Sequence, residues 1–301
     1  MYPILFQYNN FQISTYGLML MLAFIIANYL LKKYLISENV NPKIGEDIIF
    51  YAAIGGIIGS KIFYIVEYYD SGEGYNNILG LISMLKGIYT LNINLFIQGL
   101  SDFGSGLVFL GGLIGGMITV TIYIFLNNLK WRLVADWVAP YLILGQGIGR
   151  VGCFFVGCCY GHPTTVSWLF SFPSGRPPTT YESFQYNYPD IFSNYVSIFY
   201  NPGDFIKVHP TQLYEFGFYL LIFFFLLYRR SIKKYDGQIM FEYLFLAGLS
   251  RFLVEFLRLN PTYINFVDLS SAQIISIIMI FISFTLIILN WKKSGYGNDK
   301  L

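Results

Sequence analysis

Seven apolar stretches dominate the chain and restrict what it can fold into. Each is close to the ~20 residues that an α-helix needs to cross a bilayer. Asp136, Pro140 and several glycines make the fourth stretch the least regular. With 55% hydrophobic residues, 12% charged residues and a mean hydropathy of +0.54, an ordinary soluble domain is excluded. The sequence predicts an all-α polytopic membrane protein, residues 1–301 forming one transmembrane domain of about seven helices. The stretches lie near 13–31, 47–66, 106–127, 133–152, 212–228, 239–258 and 273–291.

The basic residues predict the orientation of these helices. Twelve of the 19 lysines and arginines follow the first, third, fifth and seventh stretches, which places them on one side of the membrane. Connectors on the other side hold only Lys86, Arg176 and Lys207. Because positive connectors remain in the cytoplasm, the N-terminus is predicted outside and the C-terminus inside. The start of the chain lacks a basic segment, so no cleavable signal peptide is expected. A net charge of +2 gives no indication of a nucleic-acid partner.

Two outside segments are long. Residues 67–105 are amphipathic and rich in tyrosine, and we expect them to form an arm at the membrane interface. Residues 160–211 carry many Pro, Ser, Tyr and Asn residues and predict a small extracytoplasmic cap. No internal repeat of the kind found in many transporters is evident.

The stretch GQGIGRVGCFFVGCCYGHP, residues 145–163, ends the fourth apolar region. An arginine in or near a bilayer is costly, so Arg150 needs a partner or a ligand. It either holds an anionic lipid headgroup or pairs with a buried carboxylate that joins helices. The GGLIGG run begins with Gly111 and Gly112. Helix packing is the favoured role for most of its glycines, and contact with lipid is the alternative.

A second group of charges lies in the sixth stretch. Arg251, Glu255 and Arg258 have the spacing i, i+4, i+7, which predicts one helix face. They could form a salt-bridge ladder. However, two arginines for one carboxylate leave a positive charge over, and the arginine of the glycine-rich stretch adds another. Such a surplus favours a phosphate-binding cavity. Lys61 could join this cavity or pair with Glu67.

The fifth stretch opens with the polar sequence HPTQLYE, residues 209–215. A proline in the first turn fits an ordinary helix start. The density of polar groups in His209, Gln212, Tyr214 and Glu215 beside an apolar helix is the argument for a functional role.

Cys153, Cys158, Cys159 and His162 have a spacing that matches no standard zinc pattern. Small, apolar packing is the favoured role of the cysteines. The sequence therefore predicts no metal site.

Six motifs, in order over most of the chain, resemble the prolipoprotein diacylglyceryl transferase family. They are YGLM at 16–19, GSKIFYIVE at 59–67, FLGGLIGG at 109–116, GRVGCFFVGCCYG at 149–161, HPTQLYE at 209–215 and SRFLVEFLR at 250–258. The resemblance implies transfer of a diacylglyceryl group from phosphatidylglycerol to the lipobox cysteine thiol of a prolipoprotein, forming a thioether and releasing glycerol phosphate, without a cofactor. It implies a multi-pass protein of the bacterial inner membrane whose active site faces the outer leaflet. The partners implied are phosphatidylglycerol, the prolipoprotein signal peptide and the lipid bilayer.

The resemblance also implies roles for individual residues. Arg150, Arg251 and His209 are the expected catalytic residues. The expected substrate-binding residues are Tyr16, Lys61, Gly111, Gly112, Gly161, Tyr214, Glu255 and Arg258.

Three positions depart from the better-known branch of the family. Leu110 replaces a histidine, Cys153 an asparagine and Cys158 an acidic residue. A Cys-rich branch with the same activity, a paralogue with another substrate and a non-catalytic lipid-binding relative are all compatible with these changes. The absence of a transporter-type repeat disfavours an anion transporter.

Overall fold

The computed structural model describes residues 3–8, 11–104, 106, 108–166, 169–259 and 269–296. A two-stranded sheet of β1 (Ile4–Tyr8) and β2 (Phe11–Ser14) precedes the first helix. The other elements are helical. They are α1 (Thr15–Ser37), α2 (Pro42–Glu67), α3 (Glu73–Tyr89), α4 (Ile93–Gly104), α5 (Phe109–Leu126), α6 (Trp131–Val156), α7 (Tyr181–Asn187), α8 (Pro189–Ile191), a π-helical turn (Phe192–Val196), α9 (Ser197–Phe199), α10 (Thr211–Arg230), α11 (Gln238–Glu255) and α12 (Ser271–Tyr296).

All seven predicted stretches contain a helix, so the prediction of a helical membrane protein is confirmed. Five helices are long and apolar enough to span a membrane, namely α1, α2, α6, α10 and the Ser271–Trp291 part of α12. Helix α5 is apolar but shorter, and α11 carries several charged residues. The count of seven spans and the orientation stay predictions.

The described chain forms two compact units. One unit contains most of α1 together with α6 to α12, and the other contains the end of α1 with α2 to α5. The prediction of one transmembrane domain is not tested by this grouping.

In the unit that contains α2 to α5, glycines allow two helices to touch through their backbones. A Cβ on Gly59 would lie 2.3 Å from the carbonyl oxygen of Gly111, and one on Gly115 would lie 2.3 Å from that of Gly55. Real Cβ atoms do not approach this closely, so α2 and α5 can pack at this distance only because glycine occupies these positions. A Cβ on Gly112 would have more room, 3.2 Å from the nearest backbone oxygen.

Within the predicted arm, α3 and α4 form a hairpin over residues 73–104, and the two helices also pack through glycines. A Cβ on Gly99 would lie 2.4 Å from the backbone nitrogen of Met84. The side chain of Lys61 is buried in the same unit and donates hydrogen bonds to Asn77 Oδ1 (2.8 Å), Phe103 O (2.5 Å) and Gly106 O (3.0 Å). The position of this hairpin at a membrane interface stays a prediction.

In the other unit, residues 160–211 have a hydrophobic core of their own. It consists of six buried side chains, those of Tyr160, Phe172, Phe184, Val196, Ile206 and Val208. Isolated β-bridges tie the segment together, pairing Val208 with Pro163 and Phe170. The assignment of this segment as an extracytoplasmic cap stays a prediction.

Candidate functional site

A glycine turn ends α6 and reverses the chain. Gly157 has φ +72°, and its N–H donates to the Cys153 carbonyl at 2.9 Å. The N–H of Cys158 donates to the same carbonyl at 3.1 Å, which closes the helix end. A Cβ on Gly157 would also lie 2.8 Å from Gly175 Cα. The turn therefore requires glycine and brings Cys158 back toward the last turn of α6.

Gly161 lies where three chain segments cross. Its N–H donates to the His209 carbonyl at 2.8 Å, and it forms an antiparallel bridge with Arg258. The neighbouring His162 N–H donates to the Leu257 carbonyl at 2.8 Å. A Cβ on Gly161 would lie 2.2 Å from that same carbonyl oxygen. The backbone crossing alone thus explains why this position is glycine.

The first turn of α10 holds the adjacent cysteines by their carbonyl groups. The Thr211 hydroxyl donates to Cys159 O at 2.7 Å, and the Gln212 amide donates to Cys158 O at 2.6 Å. Both donors are fully buried. Part of the polar HPTQLYE sequence is therefore used to fix the backbone that follows α6.

One turn farther along α10, Glu215 is the centre of a buried ion-pair cluster. Its Oε2 lies 2.5 Å from Arg150 Nε on α6, and its Oε1 lies 2.8 Å from Arg251 Nη1 on α11. Arg251 Nη2 lies 2.8 Å from Glu255 Oε2, and the Ser270 hydroxyl donates to Glu255 Oε1 at 2.8 Å. Both carboxylate side chains are 2% exposed, whereas both arginine side chains are 22% exposed. The arginine side chains are thus the more exposed members of the cluster, and the carboxylates are its buried members.

Two features of this cluster correct the sequence-based interpretation. Helix α11 ends at Glu255, so Arg258 does not share a helix face with Arg251 as the i, i+7 spacing predicted. In addition, Glu215 supplies a second carboxylate, so Arg150 and Arg251 are balanced by two acids. The predicted surplus of positive charge therefore falls on Arg258, which forms no ion pair with another described residue.

The sequence argument did not identify Glu215 as the partner of Arg150. The available signal was a carboxylate one turn inside an otherwise apolar helix, since a buried acid of this kind requires a cation. Both alternatives for Arg150 remain compatible with the geometry, because Nε makes the ion pair while an arginine carries five N–H donors.

The remaining predicted residues divide between the two units. His209 Nδ1 lies 3.3 Å from the Tyr214 hydroxyl, so this pair is brought together at the start of α10. Tyr16 packs beside α6, where a Cβ on Gly152 would lie 3.3 Å from its ring. Lys61, Gly111 and Gly112 belong to the other unit, in which packing against α2 accounts for Gly111.

The three cysteines converge after the glycine turn. The Sγ atoms of Cys153, Cys158 and Cys159 all lie within 4.8 Å of one another. The pKa of the Cys159 thiol is lowered, because the other two thiols hydrogen-bond to its thiolate and the charges of Arg258 and Arg150 attract it. The spacing of the cysteines had not predicted this convergence.

Comparisons with known proteins agree with these motifs. A model of the prolipoprotein diacylglyceryl transferase family matches residues 3–289. The chain belongs to this family. The phosphatidylglycerol–prolipoprotein diacylglyceryl transferase of Clostridium tetani is 35% identical over 287 residues, covering 94% of this chain and 95% of the relative. Those of Bordetella avium (28% identity; 97% and 96% coverage) and Thermotoga maritima (26%; 93% and 82%) are similar over comparable lengths.

The three positions that depart from the better-known branch of the prolipoprotein diacylglyceryl transferase family lie in different surroundings. Leu110 is exposed on α5. Cys153 and Cys158 are both members of the thiol cluster. Two of the three changed positions thus contribute to one arrangement of side chains.

Proposed function

We propose that this chain transfers the diacylglyceryl group of phosphatidylglycerol to the lipobox cysteine thiol of a prolipoprotein, the first step of lipoprotein maturation. The family match over residues 3–289 supports the reaction. The observation that carries the assignment of the site is the cluster of Arg150, Arg251, Glu215 and Glu255. Its carboxylates are buried, and its arginine side chains remain partly exposed.

The chemistry requires stabilisation of a phosphate leaving group. In the reaction a C–S bond forms and a glyceryl C–O bond breaks, and the electron pair leaves with glycerol phosphate. Arg150 and Arg251 bind the phosphate and stabilise the charge that develops on it. Glu215 and Glu255 hold the two guanidinium groups in place before the lipid arrives. Arg258 supplies a further positive charge beside them.

The acceptor thiol must lose its proton. A free thiol has a pKa of about 8.5, so modest assistance is enough near neutral pH. His209, which contacts the Tyr214 hydroxyl at 3.3 Å, is the proposed base in a chain that has Leu110 in place of the usual histidine.

The substrate-binding roles of Tyr16, Lys61, Gly111, Gly112 and Gly161 belong to the same proposal. For Gly111 and Gly161, close backbone contacts supply an independent structural reason.

We place this chemistry at the outer leaflet of the bacterial inner membrane. Seven spans with the N-terminus outside put the C-terminal end of α6 and the start of α10 on the outer side. Residues 160–211 then form an extracytoplasmic cap next to the arginines, and residues 67–105 form an interfacial arm. The acceptor signal peptide approaches from that side. The concentration of basic residues in the opposite connectors supports this orientation.

Release of glycerol phosphate from phosphatidylglycerol tests the function. The purified protein is mixed with the lipid and either a lipobox peptide or the same peptide with serine in place of cysteine. We expect release only with the cysteine peptide, and a matching loss of free thiol. Equal release with either peptide would indicate a phospholipase. Lipid binding without release would favour a non-catalytic relative.

Two arginine variants make the test specific. Arg150→Gln should abolish release. Arg230→Gln serves as the matched control, because Arg230 lies at the opposite end of α10 and donates to the Tyr141 hydroxyl at 3.1 Å. Equal activity of the two variants would contradict the proposed role of Arg150.

A further inference from the structure

The thiol cluster has a local structural cause. Cys153 lies in the last turn of α6, and the glycine turn brings the two following cysteines back toward it. Cys159 has φ +63°, a conformation that costs a residue with a side chain about 1 kcal/mol or more. The side chains of Thr211 and Gln212 donate hydrogen bonds to the carbonyls of Cys159 and Cys158, which lie on either side of this strained φ torsion. The arrangement is thus imposed on the cysteines by their surroundings.

Neither packing nor a disulfide accounts for three converging thiols. Small apolar side chains that only fill space have no reason to direct three sulfur atoms to one point. A disulfide between Cys158 and Cys159 is disfavoured, because neighbouring Cα atoms are about 3.8 Å apart and disulfides usually need about 4.4–6.8 Å. Any single disulfide among the three cysteines would also leave the third thiol without a disulfide partner.

A soft metal ion fits the cluster. Zinc–sulfur bonds of about 2.3 Å in a tetrahedral arrangement place sulfur atoms about 3.8 Å apart. The thiols already lie within 4.8 Å of one another, so binding needs side-chain movements of about 1 Å or less. Among the described residues, no histidine or carboxylate joins the group. Sites with three protein ligands keep a fourth position open for water or a substrate.

We propose that Cys153, Cys158 and Cys159 bind one divalent metal ion of the zinc class, and that the thiol of the acceptor peptide occupies its fourth position. The site is next to the proposed phosphate clamp, since Arg150 and Cys153 are three residues apart on α6 and share a face of that helix. The metal part of the proposal is independent of the enzymatic assignment, whereas the role of the fourth ligand rests on the proposed function. The proposed metal site replaces the expectation from the cysteine spacing that this chain has no metal site.

The reaction balances without an oxidant or reductant. When the acceptor thiol binds the metal, its proton passes to His209, the base proposed above, and from there to solvent, because a metal ion strongly favours a coordinated thiolate. The thiolate attacks the glyceryl carbon. The S–C bond forms, and the C–O bond breaks with its electron pair leaving on glycerol phosphate. The metal thereby helps His209 to generate a thiolate near neutral pH in a chain where Leu110 replaces the usual histidine.

Cobalt(II) titration of the reduced, metal-stripped protein tests the metal site directly. We expect one ion per chain and a sulfur-to-cobalt charge-transfer band. Replacing any one cysteine by serine should weaken binding at least ~100-fold, since the loss of a supporting residue alone costs 10–100-fold. His162→Gln, which keeps all three thiols, is the matched control and should bind like the wild type. Thermal unfolding of each apo variant shows whether the fold is retained.

The fourth position is tested with peptide added to the cobalt-loaded protein. A lipobox peptide with cysteine should change the visible spectrum, and the serine peptide should not. The absence of a charge-transfer band from protein whose three thiols are shown to be reduced would overturn the proposal. An unchanged spectrum with the cysteine peptide would overturn the role of the fourth ligand. Full transferase activity of the metal-stripped protein would also refute this role and would leave the proposed function intact.

Discussion

Replacing Glu215 by glutamine tests whether the ion-pair cluster holds the two central arginines. The substitution keeps the size of the side chain and removes the charge that pairs with Arg150 at 2.5 Å and Arg251 at 2.8 Å. Breaking a buried ion pair by removing one partner costs about 3–5 kcal/mol. Because both arginine side chains are 22% exposed and partly screened by water, we expect the lower end, about 3 kcal/mol.

The loss should appear in both stability and activity. Unfolding in detergent reports the stability, and release of glycerol phosphate reports kcat and KM. Loss of one preorganised charge interaction costs about 2.7 kcal/mol of transition-state stabilisation, so kcat/KM should fall ~100-fold. The effect should include a lower kcat measured well below the unfolding temperature, which a purely structural role would not produce.

The matched control is Glu242→Gln. Glu242 pairs with Arg229 at 2.7 Å, and its side chain is 12% exposed. We expect a smaller loss of stability, about 1 kcal/mol, and activity within about twofold of the wild type. If Glu215→Gln lost less than about 1 kcal/mol and kept its activity, the argument that Glu215 positions both arginines would be refuted.

Three further experiments test other parts of the structure. Gly59→Ala should lose about 1–3 kcal/mol in thermal unfolding, because the new Cβ would lie 2.3 Å from a backbone oxygen of α5, whereas Gly56→Ala, with 3.6 Å to the nearest atom, should be close to neutral; similar stabilities would contradict this packing. Burial raises the pKa of Tyr160, because the folded protein favours the neutral phenol. The neutral phenol therefore stabilises the fold fully below the unfolded-state pKa of about 10, and this stabilisation is lost progressively as the pH rises above that value toward the raised folded-state pKa. Above about pH 10 the denaturation midpoint should therefore fall less steeply in Tyr160→Phe than in the wild type, and an unchanged slope would assign that fall to other groups. Gly161→Ala should destabilise the protein, because its Cβ would clash with the Leu257 carbonyl oxygen. Gly149→Ala should fold normally, because a Cβ there would meet no atom outside its own helix within 4 Å. The same variant should raise the KM for phosphatidylglycerol by blocking lipid contact with this backbone, and an unchanged KM would place the lipid elsewhere.

The helices were predictable because hydropathy is a local property of the chain. All seven apolar stretches contain a helix, and the motif resemblance is confirmed by the family match. The end of α11 was not predictable from periodicity, since the pattern continues through Arg258 while the backbone leaves the helix after Glu255. The bridge of Arg258 to Gly161, a long-range contact, stabilises that different ending.

The candidate site was only partly predictable for the same reason. Arg150, Arg251 and Glu255 were identified as charges that need partners in an apolar setting. The contribution of Glu215 depends on the positions of α6, α10 and α11 in space, which spacing along the chain does not give. The convergence of the three thiols likewise depends on the left-handed glycine that ends α6, a turn that a cysteine-spacing pattern does not contain.

Mass spectrometry of the acceptor peptide is the most direct test of the central claim. Purified protein is incubated in detergent with phosphatidylglycerol and a lipobox peptide, in parallel with the Arg150→Ala variant. The account predicts a peptide that carries a diacylglyceryl thioether on its cysteine with the wild-type protein and none with the variant. An unmodified peptide from folded wild-type protein, with peptide and lipid both shown to bind, would contradict it.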